Sequence, residues 1–346
     1  MTGLLAGGFT ALGFGLSLAA CFLVMRTGIV DAPDGGRKQQ ARAIPRTGGV
    51  AIALGALLGI GCCAGLLTVL GTGSIADFIA GDQLALALFL TGAAFFIGLW
   101  DDIWTANTKL KLFLLSSIGG IVAGLGVMPE AFTSPFGDLT ATWLLIAGTT
   151  AWFLVFINAA NFMDGSNGLS LGCLLIMLIG LAVTGSASGD WVFSYAWFPV
   201  FGAILGFLAI NLRGDLYAGD AGALGLGALF AGLGVISGLD VWTVATFALP
   251  FILDVLLTLI WRAKHGRNWL EAHVDHAYQR LIAAEWSHLE TAILYWGLTT
   301  VCAAMAYIAA LAGGAAPFAV FWTLGLAGTV LWSLHRRSAK VSNLGR

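Results

Sequence analysis

Charge is what this 346-residue sequence has least of. Asp, Glu, Lys and Arg together make up 10% of it, against 59% hydrophobic residues. A water-soluble domain carries about 25% charged residues, so a soluble globular fold is excluded and an integral membrane protein is expected. The net charge of −2 says little by itself, and no nucleic acid partner is expected. Cysteine is scarce and unpaired: Cys21, Cys62, Cys63, Cys173 and Cys302 all lie inside apolar runs. They read as small core residues, neither a disulfide framework nor a zinc site. The opening "MTGLLAGGFT" has no basic n-region, so a cleaved signal peptide is not expected. Neither a separate soluble domain nor a repeat of fixed period is visible, and residues 1–346 read as a single polytopic domain.

What is present is a series of long apolar stretches. A span needs roughly 20 apolar residues, and eleven stretches qualify as candidates: 3–25, 48–70, 83–100, 112–127, 140–157, 169–187, 191–210, 221–238, 241–261, 290–312 and 315–333. An all-α membrane protein of about 11 transmembrane helices is the expected fold. The 16 Lys and Arg all fall in 26–46, 101–111, 211–220, 262–288 and the tail after 333. With eleven spans these share one side, which the positive-inside rule makes the cytoplasm. The other loops hold Asp77, Asp82, Glu130, Asp138, Asp190 and Asp240, without Lys or Arg. The N-terminus is therefore expected outside and the C-terminus inside.

The basic-side loops also hold most of the remaining polar chemistry. In loop 26–46, Lys38, Arg42 and Arg46 suit either anionic headgroups or an anionic substrate. Loop 101–111 begins with Asp101 and Asp102 at the C-terminal end of a span, where two carboxylates oppose the helix dipole and repel each other. That mild cost favours a metal or proton-handling role, and Lys111, ten residues on, is a candidate phosphate contact. "NAANFMDGSNG" at 158–168 gathers Asn158, Asn161, Asp164, Ser166 and Asn167. It reads as a membrane-surface turn or as a source of oxygen ligands for a hard cation. "GDLYAGDAGALGLG" sets Asp220 between glycines at the start of a span, as a helix cap or a group approached closely by a ligand. In loop 262–288, His273, His276 and Arg280 are spaced as a cationic cluster on one helical face. The same loop fits an interfacial amphipathic helix anchored by Trp269 and Trp286. Asp254, inside a span, is a functional candidate or a hydrogen-bond partner for a neighbouring helix.

The ordered motifs "DAPDGGRKQQARAIPRTGG", "GLWDD" with "KLKL", "NAANFMDGSNGL", "GDAGALGLG" and "HVDHAYQRL" run from residue 31 to 281. Together they resemble the polyprenyl-phosphate N-acetylhexosamine-1-phosphate transferases, the glycosyltransferase family 4 type. "HAYQRL" and eleven spans are most similar to the branch that initiates O-antigen and other surface polysaccharides. The resemblance implies transfer of a sugar-1-phosphate from a UDP-N-acetylhexosamine-type donor to undecaprenyl phosphate at the cytoplasmic face of the bacterial inner membrane, releasing UMP. It implies Mg²⁺, with Mn²⁺ as a substitute, on Asn161 and Asp220. Asp101 and Asp102 would orient or deprotonate the lipid phosphate, and Asn167 would read the uridine. Asn158 and Asp164 would hold the loop; Lys111, His273, His276 and Arg280 would contact phosphate and sugar. Membrane lipid and a homodimer are the implied partners. Many bacterial members have Asp where Asn167 stands, and Ala223 replaces the usual Ser. A polytopic lipid or solute transporter is the alternative, and would show inverted repeats, broken helices and polar groups near the bilayer midplane.

Overall fold

A computed structural model describes residues 2–32, 43–71, 81–188, 196–268 and 273–342. Among these the chain forms thirteen helices and one two-stranded ribbon. They are α1 (Thr2–Val24), β1 (Val30–Asp31), β2 (Ile44–Pro45), α2 (Gly48–Val69), α3 (Asp82–Trp104), α4 (Thr108–Gly124), α5 (Thr142–Phe162) and α6 (Leu169–Ser188). Then follow α7 (Trp197–Asn211), α8 (Gly219–Ile236), α9 (Val241–Phe247), α10 (Leu249–Lys264), α11 (Ala277–Ala283), α12 (His288–Ala312) and α13 (Ala316–Ser342). Lys38, Arg42 and Trp269 lie outside the described residues.

Each expected stretch overlaps a helix or a broken helix among the described residues. Eight are long and apolar enough to cross a membrane alone, and a ninth if α9 and α10 make one span. These two meet at 78°, because Pro250 in the first turn of α10 has no N–H to continue the α9 ladder. At 15 and 17 residues, α7 and α4 fall short of that test.

The bundle is organised around α8, whose residues Ala221–Gly234 are all buried. Small side chains let neighbouring backbones approach closely. A Cβ at Gly98 of α3 would strike the Asp220 backbone, and one at Gly49 of α2 would strike Gly222. Helices α2, α3 and α5 consequently lean directly on α8, and this closeness brings the ends of separate spans together. Hydrogen bonds then join the C-terminal ends of α3, α5 and α7 to the segments that open α2, α4, α6 and α8, and tie Ser166, just after α5, to His288 at the start of α12. Among the described residues, this end of the bundle carries most of the polar links between helices. The other end is simpler, for example Thr133 donating to Asp240 at 2.5 Å.

Candidate active site

The β1–β2 ribbon pairs Val30 with Pro45 and Asp31 with Ile44, which aims residues 45–49 at the turn before α8. Tyr217 N–H donates to the Pro45 carbonyl (2.8 Å), Gly48 N–H to Tyr217 (2.9 Å) and Gly49 N–H to Ala218 (2.8 Å). Arg46 then reaches the backbone carbonyl of Asp102 with its guanidinium. Gly219 adopts φ +71°, a left-handed conformation that needs glycine here, and α8 starts immediately beside Asp102.

The two adjacent carboxylates have different surroundings. Asp102 is 3% exposed, and its two oxygens accept the backbone N–H groups of Asp220 and Ala221, each at 3.0 Å. It caps α8 from another helix, placing negative charge at that helix's positive end. Asp220 is therefore not the capping aspartate; its carboxylate is left for other partners. Asp101 accepts the Ala106 N–H at 2.5 Å with Oδ1 and Lys111 Nζ at 3.0 Å with Oδ2. Lys111 Nζ also donates to Asp220 Oδ2 at 2.5 Å. The turn that makes this possible holds Thr105 at φ 54°, a costly conformation for a β-branched residue. Asn107 then caps α4 through Lys109 N–H (2.9 Å) and Leu110 N–H (3.3 Å).

Asp164 completes an acidic cluster. Burial pushes its carboxyl well above the ordinary carboxylate range, and the charges of Asp220 and Asp102 push it further. It follows Asn161, whose carbonyl accepts the Asp164 N–H at 3.1 Å. Asn158 bonds back to Leu154 of its own helix at 2.7 Å, so that amide group braces α5 and not the loop. The loop is held by residues that the spacing of motifs did not single out. Asn211 accepts Gly168 N–H at 2.6 Å and donates to the Leu216 carbonyl at 2.8 Å. Ser166 pairs with His288 at 2.9 Å, and Trp296 donates to Gly168 at 3.0 Å. Asn167 lies against the turn at Gly214.

Beside this cluster stands the segment His273–Arg280, and here the spacing misled. Residues 273–276 are not helical; α11 begins only after His276, which caps it in a reciprocal box with Gln279. The three residues therefore do not share a helical face, and no long amphipathic helix occupies the described part of 262–288. The reason is Asp254, which takes the N–H groups of Ala277 (2.7 Å) and Tyr278 (3.2 Å) and the Tyr295 hydroxyl (2.6 Å). Asp254 is thus a hydrogen-bond partner for two neighbouring helices, α11 and α12. His276 is buried against it, Nδ1 at 3.6 Å from Asp254 Oδ1. His273 lies tilted beside His276, with ring centroids 4.9 Å apart. Burial and then the charges of His276 and Arg262 lower its pKa to about 4. It is neutral near pH 7, so the cluster is less cationic than its composition suggests. Arg280 donates to the Arg336 carbonyl at 3.4 Å. Tyr278 fastens this segment to the first cluster by donating to the Phe162 carbonyl at 2.9 Å.

A bundle of apolar helices with acids, a lysine and histidines gathered at one end defines a membrane protein with a polar site at one face. Residues 84–238, which include Asp101, Asp102, Lys111, Asp164 and Asp220, match the family model described as "Glycosyl transferase family 4". A "Phospho-N-acetylmuramoyl-pentapeptide-transferase" from a Synechococcus strain is 30% identical over 246 residues, 63% of this chain and 68% of that protein. The "Probable undecaprenyl-phosphate N-acetylglucosaminyl 1-phosphate transferase" of Bacillus subtilis is 25% identical over 277 residues, 77% of this chain and 73% of its own. The "Decaprenyl-phosphate N-acetylglucosaminephosphotransferase" of Mycobacterium leprae is 28% identical over 285 residues, 73% and 70% of the two chains. The chain belongs to glycosyl transferase family 4.

Proposed function

We propose that this enzyme transfers a sugar-1-phosphate from an N-acetylhexosamine-type UDP-sugar to undecaprenyl phosphate. The products are undecaprenyl-diphospho-sugar and UMP, and the reaction initiates a cell-surface polysaccharide of the O-antigen kind. The observation that carries this reading is Lys111 set between Asp101 and Asp220, with Asp102 and Asp164 adjacent. The names of the relatives, which act on undecaprenyl or decaprenyl phosphate or transfer a phospho-sugar, support it. A transporter is not favoured. Among the described residues the one broken helix places Asp254 against backbone and a tyrosine hydroxyl, while the acids gather at one end.

The donor set suits Mg²⁺ or Mn²⁺. Asp220 already engages a cationic group, and Asp164 sits in excess negative charge that a cation would relieve. Among the described residues no three His, Cys, Asp or Glu side chains form a metal site of their own. The protein would therefore supply Asp220 and the Asn161 amide oxygen, with water and phosphate oxygens completing the shell, as Mg²⁺ commonly requires. A divalent ion there would neutralise charge on the donor diphosphate.

The residues of the chain have separate tasks in this scheme. Asp102 fixes the start of α8, and so the position of Asp220. Lys111 carries positive charge to where phosphates must converge, and Asp101 orients that ammonium. The lipid phosphate, a monoester with a second pKa near 6, is largely dianionic at neutral pH and attacks the sugar-linked phosphorus without a strong base. Positioning and charge neutralisation then supply most of the catalysis. Asn167 is assigned to the uracil, and His273, with His276 and Arg280 shaping its loop, to the sugar.

An assay with membranes, undecaprenyl phosphate and a panel of radiolabelled UDP-sugars tests the function. Labelled lipid and UMP should form in equal amounts with an N-acetylhexosamine donor; no product with any donor would overturn it. Orientation is tested separately, in a background without native cysteines. Phe136→Cys should label from outside and Arg337→Cys only from inside, as the basic residues at the site end require.

A further inference from the structure

Helix α13 is the least enclosed of the candidate spans, so it adds little to the interior of the bundle. Its last described turns behave differently. Arg336 is 7% exposed, between an exposed Leu334 and an exposed Arg337. Its Nη1 donates to the Asp275 carbonyl at 3.1 Å, and its own carbonyl accepts Arg280 Nη2 at 3.4 Å. The guanidinium lies 3.5 Å from the Trp261 ring centroid and 5.0 Å from that of Trp332. Arg262 grips the same loop from α10 through the Asp275 carboxylate and the Asn268 carbonyl. The segment His273–Arg280 is thus pinned from below by Asp254 and from the sides by Arg262 and Arg336. Its inner edge reaches the acidic cluster through Tyr278, and its outer edge carries the half-buried His273 and the exposed Val274.

Resting on the reading of this segment as the sugar-facing wall, we propose that Arg336 is a positioning residue for the nucleotide-sugar donor. The final helix is then a strut for the donor side of the site. The guanidinium acts through its shape. A planar fork can sit over the Trp261 face while donating sideways, and a lysine ammonium cannot do both. Slackening the loop by about 1 Å would misplace His273 and Arg280 while leaving Asp101, Lys111 and Asp220 untouched, since those are held by α3, α4 and α8. The loss therefore falls on one substrate.

Steady-state kinetics of the full-length protein, varying each substrate in turn, tests this. Arg336→Met and Arg336→Lys should both raise KM for the UDP-sugar by roughly 10- to 100-fold, with KM for undecaprenyl phosphate unchanged. Arg337→Ala, one residue on and exposed, should match the wild type. KM does not depend on how much of a variant is active, so partial misfolding cannot mimic the result. If Arg336→Met yields no folded protein, Arg336→Lys alone carries the test. An unchanged donor KM, equal rises for both substrates, or full recovery by lysine would each overturn the proposal. An inactive wild type would instead indict the assignment of function on which it rests.

Discussion

The two polar centres of the molecule are built on opposite plans. Around Asp101, Asp102, Lys111 and Asp220 the helices touch backbone to backbone, and charge is fixed by helix ends within the core. Around His273–Arg280 the chain is irregular, and long side chains from α10 and α13 hold it from outside. The first plan gives a centre that cannot shift without moving spans. The second gives a wall that can be re-cut by changing a few clamps. A transferase that keeps its phosphate chemistry while its donor sugar varies would have use for both, the rigid centre for the common step and the clamped loop for the variable one.

The sharpest way to break this contrast is Asp220→Asn. It removes an anionic oxygen from the rigid centre without altering the packing there, and turnover should fall by roughly 10³-fold or more. The variant should still fold and insert. EDTA should silence the wild type and Mg²⁺ or Mn²⁺ restore it; full activity in EDTA would end the metal assignment.

Asp101→Asn should cost less, roughly 10²-fold with a measurable residual rate, because Asp101 orients a lysine and the nucleophile is already ionised. The wild type without lipid should release no stoichiometric burst of UMP. Such a burst, with loss of all turnover in Asp101→Asn, would replace direct displacement by a covalent phospho-enzyme.

Asp102→Ala separates holding from chemistry. It strands two N–H groups at the start of α8, at about 1–3 kcal/mol each, so its thermal unfolding in detergent should fall clearly below that of Asp101→Asn. Equal melting of the two would mean that Asp102 is not the cap described here.

The smallest effect belongs to the clamped loop. With its pKa near 4, His273 stays neutral in the fold while the unfolded chain takes up a proton below about 6.5. Its neutral form thus contributes stability present above pH 6.5 and lost as pH falls toward 4. His276, Arg262 and Arg336 work in that direction with burial, and Asp275 against it. His273→Gln should flatten the acid limb of a stability-versus-pH curve; an unaltered limb would show the imidazole to be free to charge.

Much of the site was legible in order along the chain. Asp101, Lys111, Asp164 and Asp220 were each visible because charge in an apolar sequence needs a reason, and the structure brings these four together. Spacing could not tell Asp101 from Asp102, since their difference lies in α8, over a hundred residues away. Nor could it foresee that His276 ends an irregular stretch, because the carboxylate of Asp254 that caps α11 comes from inside another span. Arg336 left no trace at all in any motif.

The sequence by itself determined that the chain would be a helical membrane bundle, since apolar length and charge placement are local properties that a bilayer reads directly. It also determined which loops carry polar chemistry. Only the tertiary structure decided which acid holds and which acid works, and which arginine clamps the loop. Those roles follow from helix ends meeting across glycine contacts, and a contact between distant segments has no period in sequence by which it can be seen.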